Sequence, residues 1–88
     1  MTMDPTWRVE IVFTEDDRRT RADAVLEIAG RRMHGWGRAV RNPSDRDVPV
    51  IGEEVAAARA LIRLGHQLLG AAESEIEEIE RHPVHLHV

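Results

Sequence analysis

The chain opens with an alternation of apolar and polar residues. Between Trp7 and Phe13 the apolar residues fall at every second position, which is the period of a β-strand with one buried face. The same alternation recurs after the polar cluster at 15–19, and a third extended run follows Gly30. The pattern therefore predicts three strands, at about residues 7–14, 20–29 and 32–41.

Gly30 and Arg31 separate the second and third runs and have the composition of a two-residue type II′ hairpin loop, in which glycine supplies the positive φ. A loop centred on this pair fixes the register and sets Val25 beside Trp36 on the outer face. The other predicted pairs are Glu27 with His34 on that face, Ile28 with Met33, Leu26 with Gly35, Ala24 with Gly37 and Ala22 with Ala39 on the inner face, and Phe13 with Ala22 in the first hairpin.

A helix is predicted over about residues 51–80, because apolar residues recur there at steps of three and four. Its first turn is expected to hold Glu53 and Glu54, where the helix dipole favours acidic side chains. Gly70 is the expected position of a bend or break. Gly65 lies on the apolar stripe, and we expect it to let the helix approach the glycines of the third strand.

These elements predict an α+β fold, in which a three-stranded antiparallel sheet is followed by one long C-terminal helix packed on one face, with a short extended tail at 82–88 that contains histidines. The 88 residues predict a single domain, 1–88, since a chain this short supports one core. The absence of cysteine excludes disulfides and cysteine-based sites. No apolar run is long enough to span a membrane and the first residues lack the apolar segment of a signal peptide, so we expect a cytoplasmic protein.

Four segments carry a resemblance to a known family: Gly35–Ala39, Asn42–Pro49, Ile51–Glu54 and Ala56–Leu61. Through these segments the chain resembles, over nearly its full length, a family of small actinobacterial proteins of unknown function. The resemblance implies a fold akin to the double-stranded-RNA-binding domain, with a helix on one face of a three-stranded antiparallel sheet. It implies no enzymatic activity.

The implied fold raises weak nucleic-acid binding by the sheet as an alternative function. The charge distribution disfavours it, since the net charge is −4 and residues 48–88 hold three Arg against seven Glu. The predicted outer sheet face is neutral, and Glu53 and Glu54 at the helix start would repel phosphates. We therefore expect a protein partner or a homo-oligomer, with nucleic acid disfavoured and no membrane association.

Groups that could perform catalysis are sparse. The chain has no Cys and no Tyr, and no glycine-rich phosphate-binding loop precedes the helix. Ser44 and Ser74 lack a neighbouring base, and the spacing of Asp45 and Asp47 is typical of side chains that cap turns. We predict a non-enzymatic protein with no cofactor.

The predicted helix carries more apolar surface than a three-stranded sheet covers, because its apolar stripe exceeds the width of about 100° that packing on a core requires. The candidate interface residues are Leu61, Leu64 and Leu68 on the helix and Trp36, Arg38 and Val25 on the outer sheet face. We predict a homodimer with Leu64 and Leu68 at or near the interface. The surface around Trp36 is the alternative contact, and the tail folded along its own helix is the alternative cover.

The tail places His85 and His87 on one side of an extended segment and Val84 and Leu86 on the other. Two imidazoles fall short of the four ligands of a structural zinc site. We therefore interpret the tail as a segment that packs its apolar side chains on the protein and leaves its imidazoles in solvent.

We predict that the tail binds Zn²⁺ or Ni²⁺ no more tightly than about micromolar, because too few ligands converge. Isothermal titration calorimetry on the whole chain measures this affinity. A submicromolar site that disappears on His85→Ala would contradict the interpretation.

Overall fold

The computed structural model describes residues 3–88 and contains three strands followed by one helix. In chain order these are β1 (Val9–Glu15), β2 (Arg19–Ile28), β3 (Arg31–Val40) and α1 (Pro49–Glu80). The strands form one antiparallel sheet in the order β1-β2-β3. The predicted α+β fold is confirmed. Met1 and Thr2, which the predicted domain includes, lie outside the described residues.

The first hairpin has the register that the alternation predicts, with Phe13 opposite Ala22. Asp16 stabilises its turn, because the Oδ1 atom accepts hydrogen bonds from the backbone N–H groups of Arg18 at 3.2 Å and Arg19 at 3.0 Å. Aspartate is favoured in turns because its side chain bonds to the backbone in this way. The polar cluster between the first two strands therefore forms a tight connection.

The second hairpin differs from the prediction by two residues. Its loop is Ala29-Gly30, so that Ile28 lies opposite Arg31. Both loop residues have a positive φ, 50° at Ala29 and 73° at Gly30, as in a type I′ loop, whose twist matches that of the flanking strands. Alanine rarely adopts this conformation, which is why the composition pointed to the next pair of residues.

A shift of two residues keeps each side chain on its predicted face but changes its neighbours across the sheet. On the outer face the observed pairs are Asp23 with Trp36, Val25 with His34 and Glu27 with Arg32. The predicted pairs of Val25 with Trp36 and of Glu27 with His34 are therefore wrong. The four predicted inner-face pairs are wrong as well, since Leu26 lies opposite Met33, Ala24 opposite Gly35 and Ala22 opposite Gly37. The division between inner and outer faces is unaffected.

The helix packs on the inner face of the sheet through small residues. Its buried residues are Ala56, Ala60 and Leu64, which recur once per turn on the side that faces the sheet. A Cβ atom at Gly35 or Gly37 of β3 would lie less than 3.0 Å from the backbone of α1. The predicted position of these two glycines under the helix is confirmed, and only glycine permits so close an approach.

Three expectations about the helix are wrong. A Cβ atom at Gly65 would meet no atom within 4 Å, so this glycine does not create the close approach to β3. The expected break at Gly70 is absent, since the helix continues through this residue to Glu80. It begins at Pro49, a residue favoured at the first helical position because no backbone N–H is needed there, and its first turn holds no acidic residue. Glu53 and Glu54 thus lie farther along the helix than predicted.

The C-terminal tail returns along α1. The backbone N–H of Val84 donates to Oε1 of Glu77 at 3.0 Å, and Nδ1 of His85 lies 3.7 Å from Oε2 of Glu73. Val84 and Leu86 are half-buried, whereas the three histidines of the tail are exposed. The apolar side of the tail therefore packs on the protein, as the sequence interpretation expects.

We predict opposite effects for two glycine-to-alanine substitutions. Gly37→Ala should lower the free energy of unfolding by about 1–3 kcal/mol, because its Cβ would overlap the helix backbone. Gly65→Ala, the matched control, should raise it by up to about 1 kcal/mol, since alanine is the better helix former and the space is open. Urea denaturation measures both changes, and equal values for the two variants would contradict the packing described here.

Candidate interaction surfaces

Trp36 lies on the outer face of β3 with 36% of its surface exposed. The guanidinium carbons of Arg21 and Arg63 lie 4.7 and 4.1 Å from the centroid of its ring, within the range of cation–π attraction. Arg21 belongs to β2, whereas Arg63 reaches the ring from α1 around the edge of β3. The two arginines hold the tryptophan at the boundary between sheet and helix.

Asp23 sits beside this ring and joins two further side chains. Arg21 donates to both carboxylate oxygens, from Nη2 to Oδ1 at 3.0 Å and from Nε to Oδ2 at 3.1 Å. His34 Nε2 lies 2.6 Å from Oδ1. The pKa of Asp23 is lowered by the hydrogen bond from Arg21 and, to a smaller extent, by that from His34, while partial burial acts in the opposite direction. The carboxylate is therefore held ionised on the outer face.

Side chains of α1 cover part of the free edge of β3. Arg59 Nη1 donates to the backbone oxygen of Arg38 at 2.6 Å, and the backbone N–H of His34 donates to Oε1 of Gln67 at 3.4 Å.

A groove lies between this edge and the helix. Its walls include Trp36, Arg38 and Val40 from β3 and Arg59, Ile62 and Arg63 from α1, and we call these six residues the β3 groove. The groove is basic, since no acidic residue lines it among residues 3–88.

A second apolar surface lies at the other edge of the sheet. The helix packs on β3 and β2, and the inner-face side chains of β1 remain partly uncovered, with Val9 40% and Phe13 37% exposed. Arg59, one residue before the buried Ala60, reaches β3. Leu61 follows Ala60 and lies about 200° around the helix from Arg59, because successive helical residues are about 100° apart. Its side chain therefore projects toward β1, and it is 43% exposed. We define Val9, Ile11, Phe13 and Leu61 as the β1 face.

The six candidate interface residues therefore fall into four environments. Leu64 is only 2% exposed and belongs to the core, so it needs no second copy for cover, and the expectation that it lies at an interface is corrected. Leu68 is half-buried against the same core. Leu61 belongs to the β1 face, and Trp36 and Arg38 belong to the β3 groove. Val25 is half-buried on the outer face.

The turn between β1 and β2 faces the first half of the helix with acidic groups. The pKa of Glu15 is raised by its hydrogen bond with Glu53 and, less strongly, by desolvation and by the negative charges of Glu53 and Asp47. Arg18, Arg41 and Arg46 lie around the same turns, so this end of the molecule has mixed charge. The β3 groove, in contrast, is lined by no acidic side chain among residues 3–88. The overall negative charge of the chain thus conceals a local basic site.

Arg59 and Arg63 form much of the basic wall of the groove and are not among the residues predicted from the sequence. Their spacing of four residues places them on one side of α1, and that spacing is visible in the sequence. The sequence does not show that this side of the helix lies over the edge of β3. The uncovered β1 face was missed for the same reason.

Over residues 3–88, no helix combines the length and apolarity needed to cross a bilayer. Within the same range, no cluster of three or more His, Asp or Glu side chains is arranged to hold a metal ion.

The fold defines a small α+β protein with one long helix on one face of a three-stranded antiparallel sheet. The chain belongs to the Rv2632c-like family, which it matches over residues 5–85. The resemblance to actinobacterial proteins of unknown function is confirmed at this level.

Relatives in mycobacteria share most of the chain. Uncharacterized protein Rv2632c of Mycobacterium tuberculosis is 44% identical over 79 residues, which are 90% of this chain and 85% of that protein. Uncharacterized protein Mb1767 of Mycobacterium bovis is 40% identical over 80 residues, covering 91% of this chain and 85% of that protein. The crystal structure of Rv2632c matches with a TM-score of 0.84 at 41% identity, covering 93% of this chain and 98% of that chain. These comparisons establish family and fold and give no enzymatic function.

We predict that Asp23→Asn lowers the free energy of unfolding at neutral pH by about 0.5–1 kcal/mol. The lowered pKa means that the folded state favours the ionised carboxylate, so its contribution is complete above pH 3.8 and is lost as the pH falls through the still lower pKa of the folded state. Urea denaturation between about pH 7 and about pH 2.5 measures the difference.

Asp4→Asn serves as the control for this prediction, because the exposed Asp4 side chain makes no hydrogen bond or ion pair among residues 3–88. The gap between the wild type and Asp23→Asn should narrow as the pH falls below 3.8. A gap that is independent of pH would show that the hydrogen bonds of Asp23 do not depend on its charge.

Proposed function

We propose that the chain is a non-enzymatic interaction module that forms a homodimer through β1. The observation that carries the proposal is the coincidence of two features on one strand. The apolar side chains of Val9 and Phe13 are exposed on the inner face, and within residues 3–88 β1 is an edge strand with no partner on its outer side. Exposed apolar surface and an open strand edge both favour association.

The register identifies which backbone groups of β1 are free. The N–H of Asp16 donates to the oxygen of Arg19 at 3.0 Å, so Asp16 and the even-numbered residues of β1 bond to β2. Hydrogen-bonded and outward-facing residues alternate along an antiparallel strand. The N–H and C=O groups of Val9, Ile11 and Phe13 therefore point away from β2, toward the open edge.

A second copy complements this edge. Two β1 strands that pair antiparallel about a two-fold axis at Ile11 place Val9 of each copy beside Phe13 of its partner. Glu10 then lies opposite Val12, so that no like charges meet at the centre. Leu61 of both helices flanks the joined strands, and the two sheets form one continuous sheet of six strands.

The other edge of the sheet is less suited to self-association. Arg59 and Gln67 already occupy backbone groups of β3, and a second β3 groove would bring arginines against arginines. The tail does not compete for the β1 face, because its contacts at Glu73 and Glu77 lie about 120–160° around the helix from Leu61. The β1 face is therefore the surface that a second copy fits.

The polar side chains of the segment between β3 and α1 bond to one another and to the backbone, which supports a non-enzymatic role. The hydroxyl of Ser44 donates to Oδ1 of Asn42 at 2.9 Å, within a turn. Arg41 donates to the backbone oxygen of Asp45 at 2.9 Å, and its Nε lies 3.8 Å from Oδ1 of Asp47. These groups stabilise the connection between β3 and α1.

The alternative function is weak nucleic-acid binding by a sheet akin to that of the double-stranded-RNA-binding domain. The outer face offers Arg21 and Arg38 for phosphates, but Arg21 is paired with Asp23. Such domains bind RNA across two successive minor grooves, and in this chain β1 begins at Val9 with no helix in residues 3–8. Self-association is the better supported proposal.

We predict that size-exclusion chromatography with light scattering finds a mass near 20 kDa, twice the 10.0 kDa of the chain. Ile11→Pro should yield a folded monomer, because proline removes an N–H that faces the open edge and leaves the bonds to β2 intact. Leu61→Lys should also shift the equilibrium to the monomer, since it places a charge in the apolar contact.

Ile62→Lys is the matched control, because this neighbouring residue is exposed and belongs to the β3 groove rather than to the β1 face. It should leave the dimer intact. Circular dichroism establishes that each variant keeps the fold. A wild-type chain that stays at 10.0 kDa up to about 500 µM, or a dimer that Ile11→Pro and Leu61→Lys leave unchanged, would overturn the proposal.

A further inference from the structure

The β3 groove combines charge, apolar surface and an aromatic ring that the proposed dimer does not use. We propose that it binds an extended acidic segment of a partner protein, in which acidic and apolar residues alternate. This proposal is independent of self-association, since the groove and the β1 face lie on opposite sides of the helix.

The charge of the groove selects an anionic ligand. Arg38, Arg59 and Arg63 line it, and Arg21 lies over the ring of Trp36. Of these four arginines, Arg21 is neutralised by Asp23, and Arg59 donates to a backbone oxygen, which leaves its charge uncompensated. The groove therefore carries a local positive charge on a chain whose net charge is −4. Arginine favours carboxylate partners because its planar group donates two parallel hydrogen bonds.

The spacing along β3 suits an extended peptide. Trp36, Arg38 and Val40 project from the same face at every second residue, a repeat of about 6.8 Å that an extended peptide shares. If a carboxylate of the peptide binds Arg38, the peptide side chain two residues further along lies beside Val40. Val40 and Ile62 are both largely exposed, so apolar side chains of the ligand would cover them.

A nucleic acid fits this surface less well. Binding of single strands without sequence preference depends on bases that stack on open aromatic faces, and two guanidinium groups already lie over the ring of Trp36. The helix also carries five Glu between residues 73 and 80, which would repel a long phosphate backbone that extends past the groove. A short acidic peptide avoids this repulsion.

Fluorescence anisotropy with a labelled peptide tests the proposal. The probe is a peptide of about ten residues that alternates Asp or Glu with Leu or Val, and the matched peptide carries Asn and Gln in place of the acids. At about 50 mM salt the acidic peptide should bind, the amide peptide should bind at least about tenfold more weakly, and about 500 mM salt should weaken the acidic peptide strongly. The same titration with the Ile11→Pro chain separates groove binding from dimerisation.

Arg38→Gln and Arg63→Gln should each weaken peptide binding by about fivefold. Arg18→Gln, which removes the same charge from the β1–β2 turn, should have no comparable effect. In a Trp7→Phe background Trp36 is the remaining tryptophan, and its emission should shift to the blue as the peptide covers it.

Two results would overturn the proposal. The first is the absence of binding at about 50 mM salt, or an affinity that Arg38→Gln and Arg63→Gln leave unchanged. The second is tighter binding of a single-stranded or double-stranded RNA probe that depends on the same arginines, which would assign the groove to nucleic acid.

Discussion

The contact between the backbone of α1 and the two glycines of β3 determines where the rest of the molecule lies. Small residues on both sides bring helix and strand into direct contact, so that dispersion forces act between main chains. The core of residues 3–88 is correspondingly thin, with five alanines among its eight buried residues. Leu26 is the largest side chain that is fully buried. Large apolar side chains have little room in such a core and accumulate at its margins.

This packing gives the two edges of the sheet different properties. Because α1 lies over β3 and β2, its polar side chains Arg59, Arg63 and Gln67 reach around the β3 edge and bond to its backbone or its tryptophan. Charged side chains at an edge reduce uncontrolled strand pairing. The β1 edge receives no such cover, and Leu61 extends its apolar surface. The asymmetry therefore follows from the placement of a single helix.

Much of this architecture can be inferred from the sequence. The period-two alternation assigns each strand residue to a face, and that assignment survives an error of two residues in the second hairpin because the shift is even. The loop itself could not be inferred, since Ala29 adopts a positive φ that local composition does not indicate. The width of the apolar stripe on the helix can also be inferred from the sequence. The assignment of the stripe residues to the core, the β1 face or the groove depends on how the helix is rotated about its own axis over the sheet. That rotation follows from the packing of Ala56 and Ala60 against Gly35 and Gly37, which is seen only in the structure.

The separation of the two surfaces has a physical consequence for how they can act together. Joining two β1 strands about a two-fold axis would leave both β3 grooves at the outer edges of a six-stranded sheet, far from the new contact. Each groove would keep its arginines in solvent, where charge steers an anionic partner. A partner with two acidic segments could then bind both grooves at once, which raises its apparent affinity through effective concentration rather than through new contacts. The thin core leaves apolar surface at one edge of the sheet and places arginines at the other, and both proposed interactions depend on this arrangement.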